Sequence, residues 1–414
     1  MEPSHGIRAN LGRHALLVIN TAFIGTMVGL ERTVVPLLAK EEFGVESAAV
    51  TLSFIAAFGA VKAAANFAAG RLADRFGRKR LLVLGWLVGL PVPLLVIAAP
   101  AWGWVIGANL LLGASQGLTW TMTLTMMGDL AGGRRRGLAM GANEFTGYVA
   151  IALAAWLSAA IASSYGLRPA PFLPGVVAAL AGLASSLVLR DTFPHTRIEQ
   201  GSAAPPRWIL FPGRVGPGAS LLACYQAGHV TKIIDAGVWG LLPLLLKERG
   251  FDLPSIGLVV ATYPLVWGVS QAATGALSDR LSRRRLIAWG MRCQAAGLVL
   301  LVAFSSFSGA LAAAVVLGAG TALAYPTLLA LVGDLASARW RASAMGAYRF
   351  WRDLGFVVGA LGIGAVADAA GRGAAILGVA AASLVSGAVA HRWIPEPAEP
   401  SEPRESGERL GPSY

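Results

Sequence analysis

The chain has 414 residues, 55% of them hydrophobic and only 14% charged, with 51 glycines and a mean hydropathy of +0.62. A soluble domain averages about 25% charged residues, so a soluble enzyme, a disordered chain and a nucleic-acid binder are excluded in favour of an all-α polytopic membrane protein embedded in a lipid bilayer. The formal charge of +12 fits that class, because the Lys and Arg residues fall in short clusters between apolar runs.

A span needs about 20 apolar residues to cross about 30 Å of hydrocarbon. In chain order, such runs lie near 15–39, 47–69, 81–100, 104–128, 137–162, 171–190, 219–246, 255–278, 286–304, 308–331, 342–367 and 373–393. They predict twelve transmembrane helices in two six-helix bundles, 15–190 and 219–393. A segment 1–14 precedes them, a polar linker with five prolines (191–218) divides them, and a tail expected to be disordered (394–414) follows. With both termini cytoplasmic, 23 of the 34 basic residues fall in cytoplasmic segments and five in the opposite loops. That asymmetry predicts a multi-pass protein of a bacterial-type inner (plasma) membrane.

Charges inside spans are costly and mark function. In span one, Asn20, Ile24, Met27 and Glu31 share one helix face. Glu31 is the first candidate for a proton or substrate carrier, the alternative being a static pair with Arg32 or another cation. Lys62 lies in span two and Glu144 in span five. Span seven carries His229, Lys232 and Asp235, with Asp235 at the depth of Glu31. These three read equally as a coupling site or as a neutralised pair. Span eleven carries Arg349, Arg352 and Asp353, from which bridges between the halves are expected. Gln116 and Trp120 of span four and Tyr325 of span ten offer polar and aromatic surface for an amphipathic substrate, or ordinary packing.

The halves repeat each other. Residues 128–145 align without gaps to 333–350, with eleven of eighteen identical at an offset of 205. That register equates Trp120 with Tyr325 and Glu144 with Arg349. It also maps Gly70-Arg-Leu-Ala-Asp74-Arg75-Phe-Gly77-Arg78-Lys-Arg80 onto 275–285. An offset of 207 maps Pro36-Leu-Leu-Ala-Lys40-Glu41 onto Pro243-Leu-Leu-Leu-Lys247-Glu248. Parallel six-span repeats are a transporter architecture, with the substrate site between them near the midplane.

The stretch Gly70–Arg80 resembles the loop signature of the major facilitator superfamily, and its weaker copy sits between spans eight and nine. The resemblance covers residues 15–393. It implies that spans one, four, seven and ten line the cavity and that Asp74 caps a helix of the opposite half as a latch. It also implies that Arg78 pairs with Asp129, with Asp279, Arg283 and Asp334 as the weaker copy. Leu30-Glu31-Arg32-Thr33-Val34-Val35-Pro36 is similar to a first-span motif of drug exporters, with Glu in place of Asp. The arginine those exporters carry before Gln116-Gly117 is replaced by Gly113, and their span-five signature is missing.

Cys224 and Cys293, both within apolar runs, read as small buried hydrophobes. Met122-x3-Met126 lacks histidine or cysteine partners for a metal. Gly113-x-Ser115-x-Gly117 lies within a span rather than at a strand–helix turn, so it is no nucleophile elbow. No cofactor, metal or enzyme activity is expected. The reading is a monomeric secondary transporter of a small organic solute, proton-coupled and exporting. Proton-linked uptake or facilitated diffusion of an organic anion is the alternative, and a non-transporting sensor on the same scaffold is the rival class.

Overall fold

The computed structural model describes Gly6 and residues 9–131, 135–192, 209–213, 217–278, 280–336 and 340–395, leaving out the side chains of Asp74, Arg136, Pro217, Ala272, Ala276, Arg341 and Ala342. The latch candidates Asp74 (side chain) and Asp279, most of the linker and the tail from residue 396 therefore lie outside the described residues.

The first half comprises α1 (Leu11–Glu41), α2 (Ala48–Phe76), α3 (Arg78–Gly89), α4 (Val92–Ile97), α5 (Trp102–Ala131), α6 (Arg136–Tyr165) and α7 (Leu173–Val188). The second comprises α8 (Pro217–Glu248), α9 (Leu253–Ser278), α10 (Arg283–Ala303), α11 (Phe307–Leu335) and α12 (Arg341–Trp393). Among the described residues, ten helical segments are long and apolar enough to cross a membrane. One of these is α3 with α4, and another is α12, which joins spans eleven and twelve at Gly371, where φ is +84°. The fourth-span helix α5 is more polar, carrying Asn109, Gln116 and four threonines between Thr119 and Thr125. Two six-span bundles result, as the repeats require.

Three local features differ from the expectation. The signature stretch 70–80 is not a loop throughout, because α2 continues to Phe76 and turns only at Gly77 (φ +85°), a backbone that favours glycine. Span three is broken at Leu90–Pro91, where proline cannot donate to the helix ladder. Spans eleven and twelve join through a kink rather than a loop. Helix starts are fixed by Ser47, Ser282 and Ser306, each accepting an N–H bond three residues on.

Within lipid, helices associate through close backbone approach. A Cβ on Gly25 or Gly29 of α1 would run into the carbonyls of Gly147 and Ile151 of α6. In the second half the equivalent contact joins α8 and α12, but its glycines, Gly355 and Gly359, belong to α12. The halves meet along α2 with α12 and α6 with α9.

Candidate functional site

A small cavity of about 30 Å³ lies on the seam between the halves, with walls from α1, α2, α5, α6, α8, α11 and α12. That is space for about two waters. Five basic side chains face it: Arg32, Lys62, Lys232, Arg349 and Arg352.

Two carboxylates answer three of them. Asp235 accepts from Arg32 at 2.8 Å across the seam and from Lys232 of its own helix at 2.8 Å. Asp353 accepts from Arg352 and, across the seam, from Asn66. Desolvating such charges is repaid only by close partners and further hydrogen bonds, and each acid has two donors. A third carboxylate, Glu144, stands behind the wall. Trp120 Nε1 donates to one of its oxygens at 2.8 Å and Tyr325 OH to the other at 3.3 Å. The repeat-equivalent aromatics thus share one acid from span five. Arg352 also donates to Tyr325 OH at 2.8 Å.

Lys62 and Arg349 are left without a carboxylate among the described residues. Lys62 Nζ lies 5.1 Å from the ring of Phe58, 5.7 Å from Trp120 and 5.9 Å from Phe356. Arg349 reaches Thr121 Oγ1 at 3.4 Å, and its Nε is buried without a partner. Phe356 neighbours two like charges, since Lys232 Nζ lies 4.9 Å from the same ring. Ring faces attract cations but do not neutralise them, so five cations against three carboxylates leave a positive excess in a water-poor site.

Of the sequence-predicted residues, Arg32, Lys62, Gln116, Trp120, Lys232, Asp235, Tyr325, Arg349 and Arg352 stand on the wall. Asp353 and Glu144 bond to wall residues from behind. Asn20 does not reach the cavity; its side chain bonds Gly182 O, Ser185 and Trp86 within the first half. Its face of α1 turns inward because Gln116 and Asn109 of α5 also pack there, Gln116 donating to Ile24 O and Asn109 facing Glu31. Val28 and Arg32, on the neighbouring face, line the cavity instead. Glu31 is 2% exposed, one of its oxygens has no hydrogen bond, and it is not paired to Arg32. His229 is not among the wall residues; its Nδ1 contacts the Trp351 carbonyl at 2.8 Å.

At the end bearing the basic loops, Arg78 Nε meets Asp129 at 2.6 Å, the same Asp129 accepts from Thr192 at 2.8 Å, and Asp191 accepts from Arg78 N at 3.2 Å. The first residues of the linker are therefore part of this cluster, a role the polar composition of that segment did not reveal. Gly77 supplies the turn, Arg75 lies exposed over Phe76, Gly70 faces open space, and Arg283 pairs with Asp334. The opposite end is tied across the seam. Lys40 pairs with Glu248 at 3.3 Å, Lys247 with Glu41 at 3.2 Å, and Asp368 caps α2 by accepting from Ser47 and the N–H groups of Ala48 and Ala49.

Sequence reasoning missed Asn66, Tyr148, Phe58 and Phe356. Asn66 lies four residues after Lys62 and Tyr148 four after Glu144, spacing that puts each on its neighbour's face. Phe58, four before Lys62, and Phe356, four after Arg352, have the same spacing, but a phenylalanine at that spacing also reads as ordinary core.

Two repeated six-span halves enclosing a charged, aromatic cavity at their seam define a multi-pass membrane transporter of the alternating-access kind. The family model of the Major Facilitator Superfamily matches residues 17–228 and 227–413, and the chain belongs to that superfamily. It is 30% identical over 285 residues to the 3-(3-hydroxy-phenyl)propionate transporter of Escherichia coli K12, covering 67% of this chain and 68% of that one. It is 26% identical over 373 residues to the class G tetracycline resistance protein of Vibrio anguillarum, covering 86% and 90%. A POT family transporter solved with a thioalcohol-conjugated peptide shares the fold, with a TM-score of 0.75 at 12% identity over 91% of this chain and 95% of that one.

Proposed function

We propose that the protein carries a small organic anion, an aromatic or otherwise apolar carboxylate, by proton-linked alternating access. The observation that carries this reading is Lys62, a half-buried cation on the cavity wall with aromatic rings around it and no carboxylate bonded to it among the described residues. A substrate carboxylate beside Lys62 would receive a charge-assisted hydrogen bond, and its apolar body would lie against Trp120, Tyr148 and Phe356. The relative from Escherichia coli, whose name includes an arylpropionate, supports the same chemistry. Among the readings weighed from sequence, the organic anion, there the alternative, therefore takes precedence over a small organic solute of unstated charge. Direction follows the gradients imposed across the membrane.

Proton linkage is assigned to Glu31. Its carboxyl is buried, holds no cation, and sits off the cavity against Asn109, so a proton could be taken up without displacing the substrate. The basic end faces the cytoplasm of a bacterial-type inner membrane under the positive-inside rule, and the protein acts as a monomer.

Purified protein in proteoliposomes tests the reading with radiolabelled 3-(3-hydroxyphenyl)propionate, its neutral amide, an organic cation and tetracycline, with and without an imposed pH gradient. Carboxylate flux that exceeds that of the amide at least tenfold and rises with the gradient is the expected result. Equal movement of the amide, or movement of the cation alone, would overturn it.

A further inference from the structure

Span nine carries a charge where its counterpart in the first half carries an apolar residue. On α10, Arg285, Trp289 and Arg292 follow i, i+4, i+7 and share one face, and all three are exposed. The register of 205 equates them with Arg80, Leu84 and Leu87 on α3, where the two leucines are 46% and 51% exposed. An exposed leucine there is ordinary lipid-facing surface, so the fold itself does not require a cation at position 292.

Arg292 lies seven residues beyond Arg285, or about 10 Å deeper along the helix. Its guanidinium carbon is 5.1 Å from the Trp289 ring. Side chains tilt toward a helix's N-terminus, and this contact draws the charge one turn back toward the basic end. The long stem spans apolar surface while the head reaches for the interface. Among the described residues no carboxylate pairs with Arg292. A second copy of the chain offers none at that depth either, because the carboxylates deep within the spans (Glu31, Glu144, Asp235 and Asp353) are all buried.

We infer that Arg292 and Trp289 form a binding site on the outer surface of span nine for an anionic phospholipid in the leaflet at the basic end. The phosphate would accept from the Arg292 guanidinium, which binds phosphate by paired N–H donors. Trp289 would lie against the glycerol, in the interfacial position that tryptophan favours.

The test is native mass spectrometry of the whole purified protein titrated with phosphatidylglycerol and, separately, phosphatidylcholine. Arg292→Leu introduces the residue the other half already tolerates at this place, so the fold is retained. The expected result is preferential retention of phosphatidylglycerol by the unaltered protein, a loss of about tenfold in its apparent affinity in Arg292→Leu, and partial retention in Arg292→Lys. Trp289→Leu should weaken both lipids alike. Unchanged phosphatidylglycerol binding in Arg292→Leu would overturn the site. So would a change of oligomeric state in that variant without lipid, which would assign the face to a protein partner.

Discussion

Arg32 and Asp235 meet at 2.8 Å across the seam, and among the described residues Asp235 is the single acid on the cavity wall, holding cations from both halves. The pair therefore belongs to two bodies that rocking would separate. Asp235→Asn would leave Arg32 and Lys232 buried without their counter-charge, a loss of about 3–5 kcal/mol for such a pair. We expect an early melting transition in detergent and no transport. Lys232→Met should be milder, since Arg32 still neutralises the acid. Wild-type melting of Asp235→Asn would show that the bridge carries no stability.

Lys62 makes the opposite prediction. With no carboxylate bonded to it, Lys62→Gln strands nothing, and melting should stay near that of the unaltered protein. A hydrogen bond to a charged group is worth about 1.5–3 kcal/mol, so KM for an arylpropionate should rise about 10- to 100-fold. Uptake over a range of concentrations measures it. An unchanged KM would remove Lys62 from the substrate site.

Glu31 separates coupling from structure because Arg32 is engaged elsewhere. Replacing Glu31 with Gln leaves no buried cation behind, so the protein should fold and bind substrate normally. Glutamine mimics the protonated acid at every pH. Flux should accordingly lose its response to an imposed pH gradient while exchange of substrate for substrate persists. Melting temperature and both fluxes need measuring on one preparation, and a retained gradient response would reassign the proton.

The pairs Lys40–Glu248 and Lys247–Glu41 are half-exposed, and exposed pairs contribute about 0–1 kcal/mol each. Glu41→Lys should therefore shift the balance between conformations rather than unfold the protein. We expect a several-fold faster labelling of a cysteine introduced at Leu52, which packs on Gly240 across the seam. Adding Lys247→Glu should restore the original rate, and high salt should shrink the difference. No rescue by the charge swap would exclude the pair from the gate.

Span positions and the division into halves were legible because they rest on composition and on an ungapped internal repeat, and the Arg78–Asp129 contact because the signature stretch resembles that of a known family. The rotation of α1 was not. A helix apolar on nearly every side has no single inward face, and four side chains of its own half set its rotation, Trp86 and Ser185 at Asn20, Gln116 at Ile24 and Asn109 at Glu31. The cage around Lys62 was hidden for a related reason: Phe58 shares a helix face with Lys62, but Phe356 comes from the other half, and only packing brings both rings to one lysine. The pairing of Arg32 with Asp235 rather than Glu31 depends on packing between residues 203 positions apart, which no local pattern encodes.

The ties opposite the basic loops also bear on how such a chain could have been assembled. Lys40-Glu41 and Lys247-Glu248 are copies of one dipeptide, and each lysine finds the other copy's glutamate. A sequence that complements itself about a two-fold axis is the mark of an isologous contact, as in a homodimer. Either half therefore already carries the charges needed to meet a twin. The covalent linker holds together two pieces whose surfaces are paired as those of subunits are, and the first half and second half produced as separate polypeptides should recognise each other through that same reciprocal pairing.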